Sequence, residues 1–442
     1  MESCAKKRIV VVIPSDPTVR ALLSSGALSE LEANCDVTLI ASPEVKERLP
    51  EKAVRLSLAS LRSSANRRLD RLFWFHALYI YMRQHRIRDE DSFKVSSLSW
   101  FMRRVHQALA WPGLRQLVEF VDGAYFRFDA EVLRALQRVQ PELLIVPGWA
   151  MDTYSHMFLR TAHLLGLPSL MVISHWDYFT KKGNLRVKPS KIYVWGLDML
   201  DTAVTLNGVP SDEVRIVGAP QFQKYLSAVP NKVEAKTALG LDVHKRWFLF
   251  PGAGLPYDEL TTLKAISERL RALGREDIGI VYRPHPRSWE RQYLEPVDPS
   301  RLWNVVVDDA KNPGRQSDDY YKTLVAAVDG SISPFSTMIL EVGLCGGPAL
   351  CLGFSDEVNA WDFSQVTGLE HIRPLLERGW VIPCTRRGDI ADCLDNLLSK
   401  LEDAGLSGKV REEVRNTVFN DTCTYAERLF LAVEEDFLTS HS

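Results

Sequence analysis

Short apolar runs rich in Val and Ile recur along this chain, each followed by a Pro, Gly or Ser turn and then a helical pattern. Strands of a parallel sheet covered by helices are buried on both faces, so they read as continuous hydrophobic runs rather than as alternation. In the first half the runs are 8–13, 37–41, 143–147, 169–174, 192–195 and 214–217. In the second half they are 247–251, 278–282, 305–307, 330–333, 349–352 and 380–383. This pattern predicts an α/β fold with two Rossmann-like domains facing each other across a cleft.

At 442 residues the chain exceeds one ordinary domain of roughly 100–200 residues. Gly218-Ala219-Pro220, followed by a polar stretch to Lys245, places the domain boundary near residue 230. Residues 1–230 form the expected N-terminal Rossmann-like domain, interrupted by a helical insertion at 52–130. Residues 231–442 form the expected C-terminal Rossmann-like domain, with the last helical run, 425–437, crossing back to the first. In such sheets a ligand sits at the carboxyl ends of the strands.

Hydrophobic residues at 46% and charged residues at 25% exclude a disordered or fibrous chain. A formal charge of −2 gives no global attraction for nucleic acid, and none is expected as a partner. The seven cysteines include no C-x-x-C pair and read as reduced thiols of a cytoplasmic protein. The apolar run behind the first residues is too short for a signal-peptide core, and no segment approaches a membrane span. The insertion mixes Arg67-Arg68, Arg83, Arg86, Arg88 and Arg103-Arg104 with Phe73-Trp74-Phe75, Tyr79, Tyr81, Trp100 and Phe101. Two readings stand: a core-packed lobe with a solvated basic face, or a surface meeting anionic lipid or a polyanionic acceptor at the inner face of the membrane.

Three elements carry chemistry. Tyr282-Arg283-Pro284-His285-Pro286 ends a predicted strand, and its prolines fix a turn that holds Arg283 and His285 at the carboxyl end. A guanidinium and an imidazole there suit a diphosphate or a leaving phosphate. Next, Asp329-Gly330-Ser331-Ile332-Ser333-Pro334-Phe335-Ser336-Thr337 runs into a helix. Its small hydroxyls (Ser333, Ser336, Thr337) and open N–H groups favour an anion. Glu341, one turn on, is placed for ribose hydroxyls. Third, Gly252-Ala253-Gly254 follows the first strand of the second half and permits close backbone approach to a ligand; it lacks the third glycine of the dinucleotide fingerprint.

In this order and spacing the three elements resemble the GT-B glycosyltransferases and glycerophosphotransferases of bacterial capsule and teichoic-acid assembly. Bacterial sialyltransferases that use a cytidine nucleotide are similar in having a histidine-proline motif followed by a serine-rich one. The resemblance covers roughly residues 190–360. It implies that Arg283, His285, Ser336 and Thr337 hold the phosphates of a nucleotide-sugar and Glu341 its ribose, with no required metal or other cofactor. Transfer with inversion also needs a base for the acceptor hydroxyl. Candidates in the first domain are Asp177 with His175 beside it, Asp16, and Asp152. No H-E-x-x-H, cysteine pair or G-x-S-x-G elbow is present.

The expected function is therefore metal-independent transfer of a sugar from a nucleotide-sugar to a glycan or glycolipid acceptor in surface polysaccharide assembly. The alternatives are a CDP-glycerol-type glycerophosphotransferase, a non-hydrolysing UDP-sugar 2-epimerase, and a non-catalytic nucleotide-binding scaffold.

Overall fold

The computed structural model describes residues 6–85, 98–148, 152–181, 185–225, 229–252, 258–285, 297–309, 312–334, 336–354, 370–418 and 423–439. The chain divides into two compact units, Met1–Gln223 with Thr417–Ser442, and Lys224–Asn416.

The first unit holds a seven-stranded sheet of β1 (Arg8–Ile13), β2 (Asp36–Ala41), β3 (Val54–Arg55), β4 (Leu143–Gly148), β5 (Ser169–Ile173), β6 (Lys191–Val194) and β7 (Val214–Ile216). All pairings are parallel, in the order β3-β2-β1-β4-β5-β6-β7. Every residue of β4 is buried, and β1 is buried beyond its first residue, as expected for strands covered on both faces. The chain winds outward from β1 to β3, then restarts at β4 and winds the other way. A switch point therefore lies between β1 and β4.

Lys224–Asn416 holds a second parallel sheet: β8 (Arg246–Pro251), β9 (Ile278–Arg283), β10 (Val305–Val307), β11 (Gly330–Pro334), β12 (Ala349–Leu352) and β13 (Val381–Cys384). Its order is β10-β9-β8-β11-β12-β13, which puts the switch point between β8 and β11. All twelve runs read from the sequence are strands. The thirteenth, β3, is a two-residue edge strand with both side chains exposed, too short and polar to leave a hydrophobic signature.

The closing helix Tyr425–Val433 belongs to the first unit. Tyr425, Leu429 and Val433 pack into the same core as Ile9, Leu39, Ile145 and Tyr193. Arg428 Nε donates to the carbonyl of Val217 at 2.7 Å. Gly218, at φ 85°, must be glycine here, since a Cβ would lie 2.5 Å from Arg428 Nη2. Just beyond, Tyr193 donates its hydroxyl to Asp436 at 2.8 Å, and Arg215 pairs with the same carboxylate.

The insertion contributes the helices Ser64–Gln84, Trp100–Leu109 and Pro112–Tyr125, which pack on one another. Among the described residues no helix is long and apolar enough to cross a membrane.

Candidate active site

In the second unit the three motifs end neighbouring strands. β9 and β8 pair with Arg283 opposite Pro251, and β11 lies on the other side of β8. The turns bearing Gly252, His285 and Ser336-Thr337 therefore gather at the carboxyl edge around the switch point, where open α/β sheets bind ligands. Gly252 donates its N–H to the Arg283 carbonyl at 2.8 Å. A Cβ at Gly252 would overlap the backbone nitrogen of His285 and come within 2.8 Å of a Glu259 carboxylate oxygen. The glycine is what lets the two turns touch. Ala253 and Gly254 lie outside the described residues.

Several of the predicted side chains are used differently from the expectation. Arg283 is buried; Nη1 pairs with Asp308 and Nη2 donates to the Arg315 carbonyl at 2.8 Å. Its guanidinium also lies 4.9 Å from the Tyr321 ring centroid. Two of its three nitrogens are thus spent inside the unit, so Arg283 braces the turn instead of presenting a free phosphate fork. The more accessible arginine of this cluster is the half-buried Arg315, which donates to the other oxygen of Asp308 at 2.9 Å. Tyr320 donates to that same oxygen at 2.5 Å, and burial together with this carboxylate pushes the Tyr320 phenol up to about 12. Sequence reading passed over Arg315 and Tyr320 and weighed Asp308 only as half of an Asp308-Asp309 metal pair, because a carboxylate with donors converging from a strand end, a 3-10 turn and a helix leaves no local motif.

Ser333 is also corrected. It is fully buried, and its hydroxyl has no partner among the described residues, because β11 is covered along its whole length on both faces. Ser336 does cap: its Oγ accepts from Met338 N at 3.3 Å at the start of the helix Met338–Leu344. Thr337 sits at the N-cap with helical dihedrals and makes no side-chain cap bond. Glu341 is buried; its Oε2 accepts the Tyr225 hydroxyl at 2.6 Å and lies 3.5 Å from Lys224 Nζ. Burial and this carboxylate raise the Tyr225 phenol well above its ordinary value. Lys224 in turn lies 4.9 Å from the Tyr321 centroid, on whose ring Arg283 also rests.

In the first unit the base candidates separate clearly. Asp16 accepts backbone N–H groups of Lys46 and Glu47 at 2.7 and 2.8 Å, and these bonds hold its carboxyl below the usual range. A carboxylate stabilised in this way is a poor base, and its job is to fasten the loop after β2. His175 and Asp177 follow β5, both half-buried, in a turn closed by Tyr178 N donating to the His175 carbonyl at 3.2 Å.

Asp152 differs. It follows β4 at the switch point and caps the helix Thr153–Leu165, accepting from Ser155 N at 3.2 Å. Its other oxygen is buried without a partner among the described residues. Burial raises its carboxyl to about 6, against the lowering effect of the Ser155 bonds and with a further push from Asp70. The charge of Asp152 in turn helps burial to raise the phenol of Tyr178. Ser174 N donates to Gly148 O at 3.2 Å, so the chain after β5 is tied beside the one after β4.

Behind Asp152 runs a buried ionic chain. Thr153 donates its hydroxyl to Asp70, which accepts Arg186 Nη1 at 2.6 Å. Arg186 forks onto Asp122 with Nη2 at 2.6 Å and Nε at 3.2 Å, and Asp122 also receives Arg160 Nη2 at 2.7 Å. Burial, and after it the charges of Arg186 and Arg160, push the nearby His156 down to about 3. A cavity of about 710 Å³ borders this chain, lined among others by Phe73, His76, Ile80, Arg160 and Arg186. Among the described residues no group of three His, Cys, Asp or Glu side chains is arranged to hold a metal ion.

Neither a family model nor a curated protein sequence matches this chain. Solved structures do. The Neisseria meningitidis UDP-GlcNAc 2-epimerase bound to UDP-GlcNAc is similar over 96% of this chain and 100% of its own, at 12% identity and a TM-score of 0.54. The fold is GT-B. The UDP-GlcNAc 2-epimerase of Methanocaldococcus jannaschii gives 11% identity, coverage of 96% and 99%, and a TM-score of 0.53. The glycotransferase of kitacinnamycin gives 11% identity, coverage of 97% and 99%, and a TM-score of 0.52. These likenesses carry the GT-B part of the resemblance and leave its capsule and teichoic-acid part an expectation.

Proposed function

We propose that this protein is a nucleotide-sugar enzyme that inverts a carbon of the sugar, a UDP-sugar 2-epimerase in type. The observation that carries the proposal is Asp152. Inversion at C2 requires the C2 proton to leave one face while its electron pair forms a C1–C2 double bond and expels UDP from C1, and then a proton to add to the other face of C2 as UDP returns to C1. A carboxyl poised near 6 exchanges protons readily in both directions at neutral pH. The similar structures of UDP-GlcNAc 2-epimerases support this choice over the glycosyl transfer expected from the sequence. In the second unit, His285, the Gly252 backbone, and Ser336 with Thr337 would hold the diphosphate; in the first unit, Asp152 is the carboxyl suited to proton transfer.

The test is incubation with UDP-GlcNAc alone in heavy water, followed by proton NMR. A second sugar nucleotide carrying solvent deuterium at C2 is the expected result, absent in Asp152→Asn. The absence of both deuterium uptake and a new sugar nucleotide would sink the proposal.

Glycosyl transfer is the second reading, favoured by the 710 Å³ cavity in the first unit, since an epimerase needs no acceptor pocket. Release of UDP only when an acceptor glycan is added would select it.

A further inference from the structure

The insertion exposes several large apolar side chains close together in sequence, a cluster of the kind that marks an interaction surface. On the Pro112 helix, Leu114, Leu117, Val121 and Tyr125 follow one another at three- and four-residue steps and form one outward stripe, all exposed. Phe120 beside them is 73% exposed. The inward side of this helix is a different set, Val118 and Asp122, both buried. Trp111 precedes the helix, and Trp100 and Phe101 open the neighbouring Trp100 helix, each more than 60% exposed.

Cations decorate this patch. The guanidinium of Arg83 lies 5.8 Å from the Trp111 ring centroid, and that of Arg104 lies 5.7 Å from that of Trp100. Arg127 stands exposed beside exposed Phe128. Tyr125 donates to Asn66 at 2.8 Å, which brings the stripe beside exposed Arg67 and Arg68. Of the acids on the Pro112 helix, Glu119 is paired with Arg115 at 2.9 Å and Asp122 is turned inward onto Arg160 and Arg186.

We propose that the outward faces of the Trp100 and Pro112 helices form a docking surface for an anionic membrane. Tryptophan and tyrosine suit the boundary between headgroup and acyl chain, and arginines on their rings reach outward to the phosphates. A second copy of this chain fits the patch less well, because a symmetric pairing would bring these arginines against their own counterparts. Nothing in this proposal depends on the reaction.

The experiment is sedimentation of the full-length protein with vesicles of phosphatidylcholine, with and without phosphatidylglycerol, at low and high salt. Binding to the anionic vesicles alone, released by salt, is expected. Leu117→Ser with Phe120→Ser should weaken it by about tenfold or more. Arg83→Gln and Arg104→Gln should each weaken it by about fivefold. Melting temperatures should be unchanged, because these side chains point outward. No binding, binding equally strong to neutral vesicles, or full binding by the Leu117→Ser, Phe120→Ser protein would overturn the proposal. So would light scattering showing a dimer that this double variant dissolves.

Discussion

Replacing Asp152 by asparagine should stabilise the protein at neutral pH while removing its chemistry. Burial raises this carboxyl from 3.8 to about 6, so the folded state prefers it protonated. The stability this preference contributes is complete below pH 3.8 and is lost as pH rises through about 6. The full shift corresponds to about 3 kcal/mol of native-state penalty at pH 7, and residual solvent contact of this half-buried residue reduces it to about 1–3 kcal/mol. Asparagine keeps the oxygen that caps the Thr153–Leu165 helix and carries no charge, so it escapes the penalty. Urea unfolding at several pH values checks this. The gain of the variant should approach zero near pH 4, grow up to pH 7, and accompany loss of turnover. A variant less stable than the parent by the same amount at every pH would refute the reasoning, since it would show that Asp152 is a structural cap only.

Arg186→Met should cost about 3–5 kcal/mol in chemical denaturation, because it strands Asp70 and Asp122 without their shared cation. Gly252→Ala should destabilise by about 1–3 kcal/mol in thermal melts, since the new Cβ must push the His285 turn away. Asp16→Asn should leave turnover within about threefold of the parent in a steady-state assay, because its bonds hold a loop and its basicity is low.

Most of the fold was legible because buried parallel strands have an unambiguous signature, the continuous Val and Ile run, and every such run became a strand. The Gly252 and His285 turns were legible for a related reason: glycine and proline dictate backbone shape locally, and both fall at strand ends. Side-chain partners were not. Arg283 looks like a phosphate fork until Asp308, 25 residues on, is seen to occupy it. Ser333 looks like a ligand hydroxyl until β11 is seen to be covered on both faces. Asp152 stood among the sequence candidates, yet what distinguishes it, a buried oxygen pushed by an Asp70 that Arg186 anchors, depends on contacts spanning more than 80 residues. The units divide at Gln223 and Lys224, and Thr417–Ser442 returns to the first, where the sequence suggested a boundary near 230 and a last helical run, 425–437, crossing back.

The central claim is that the carboxyl edge around β8 and β9 grips a nucleoside diphosphate. Calorimetric titration of UDP, without divalent metal, into the parent protein and into His285→Ala tests it most directly. One UDP per chain, weakened by about tenfold or more in the variant, is the predicted result. Equal affinity in both proteins would move the phosphate site elsewhere, and no binding by the parent would contradict the account.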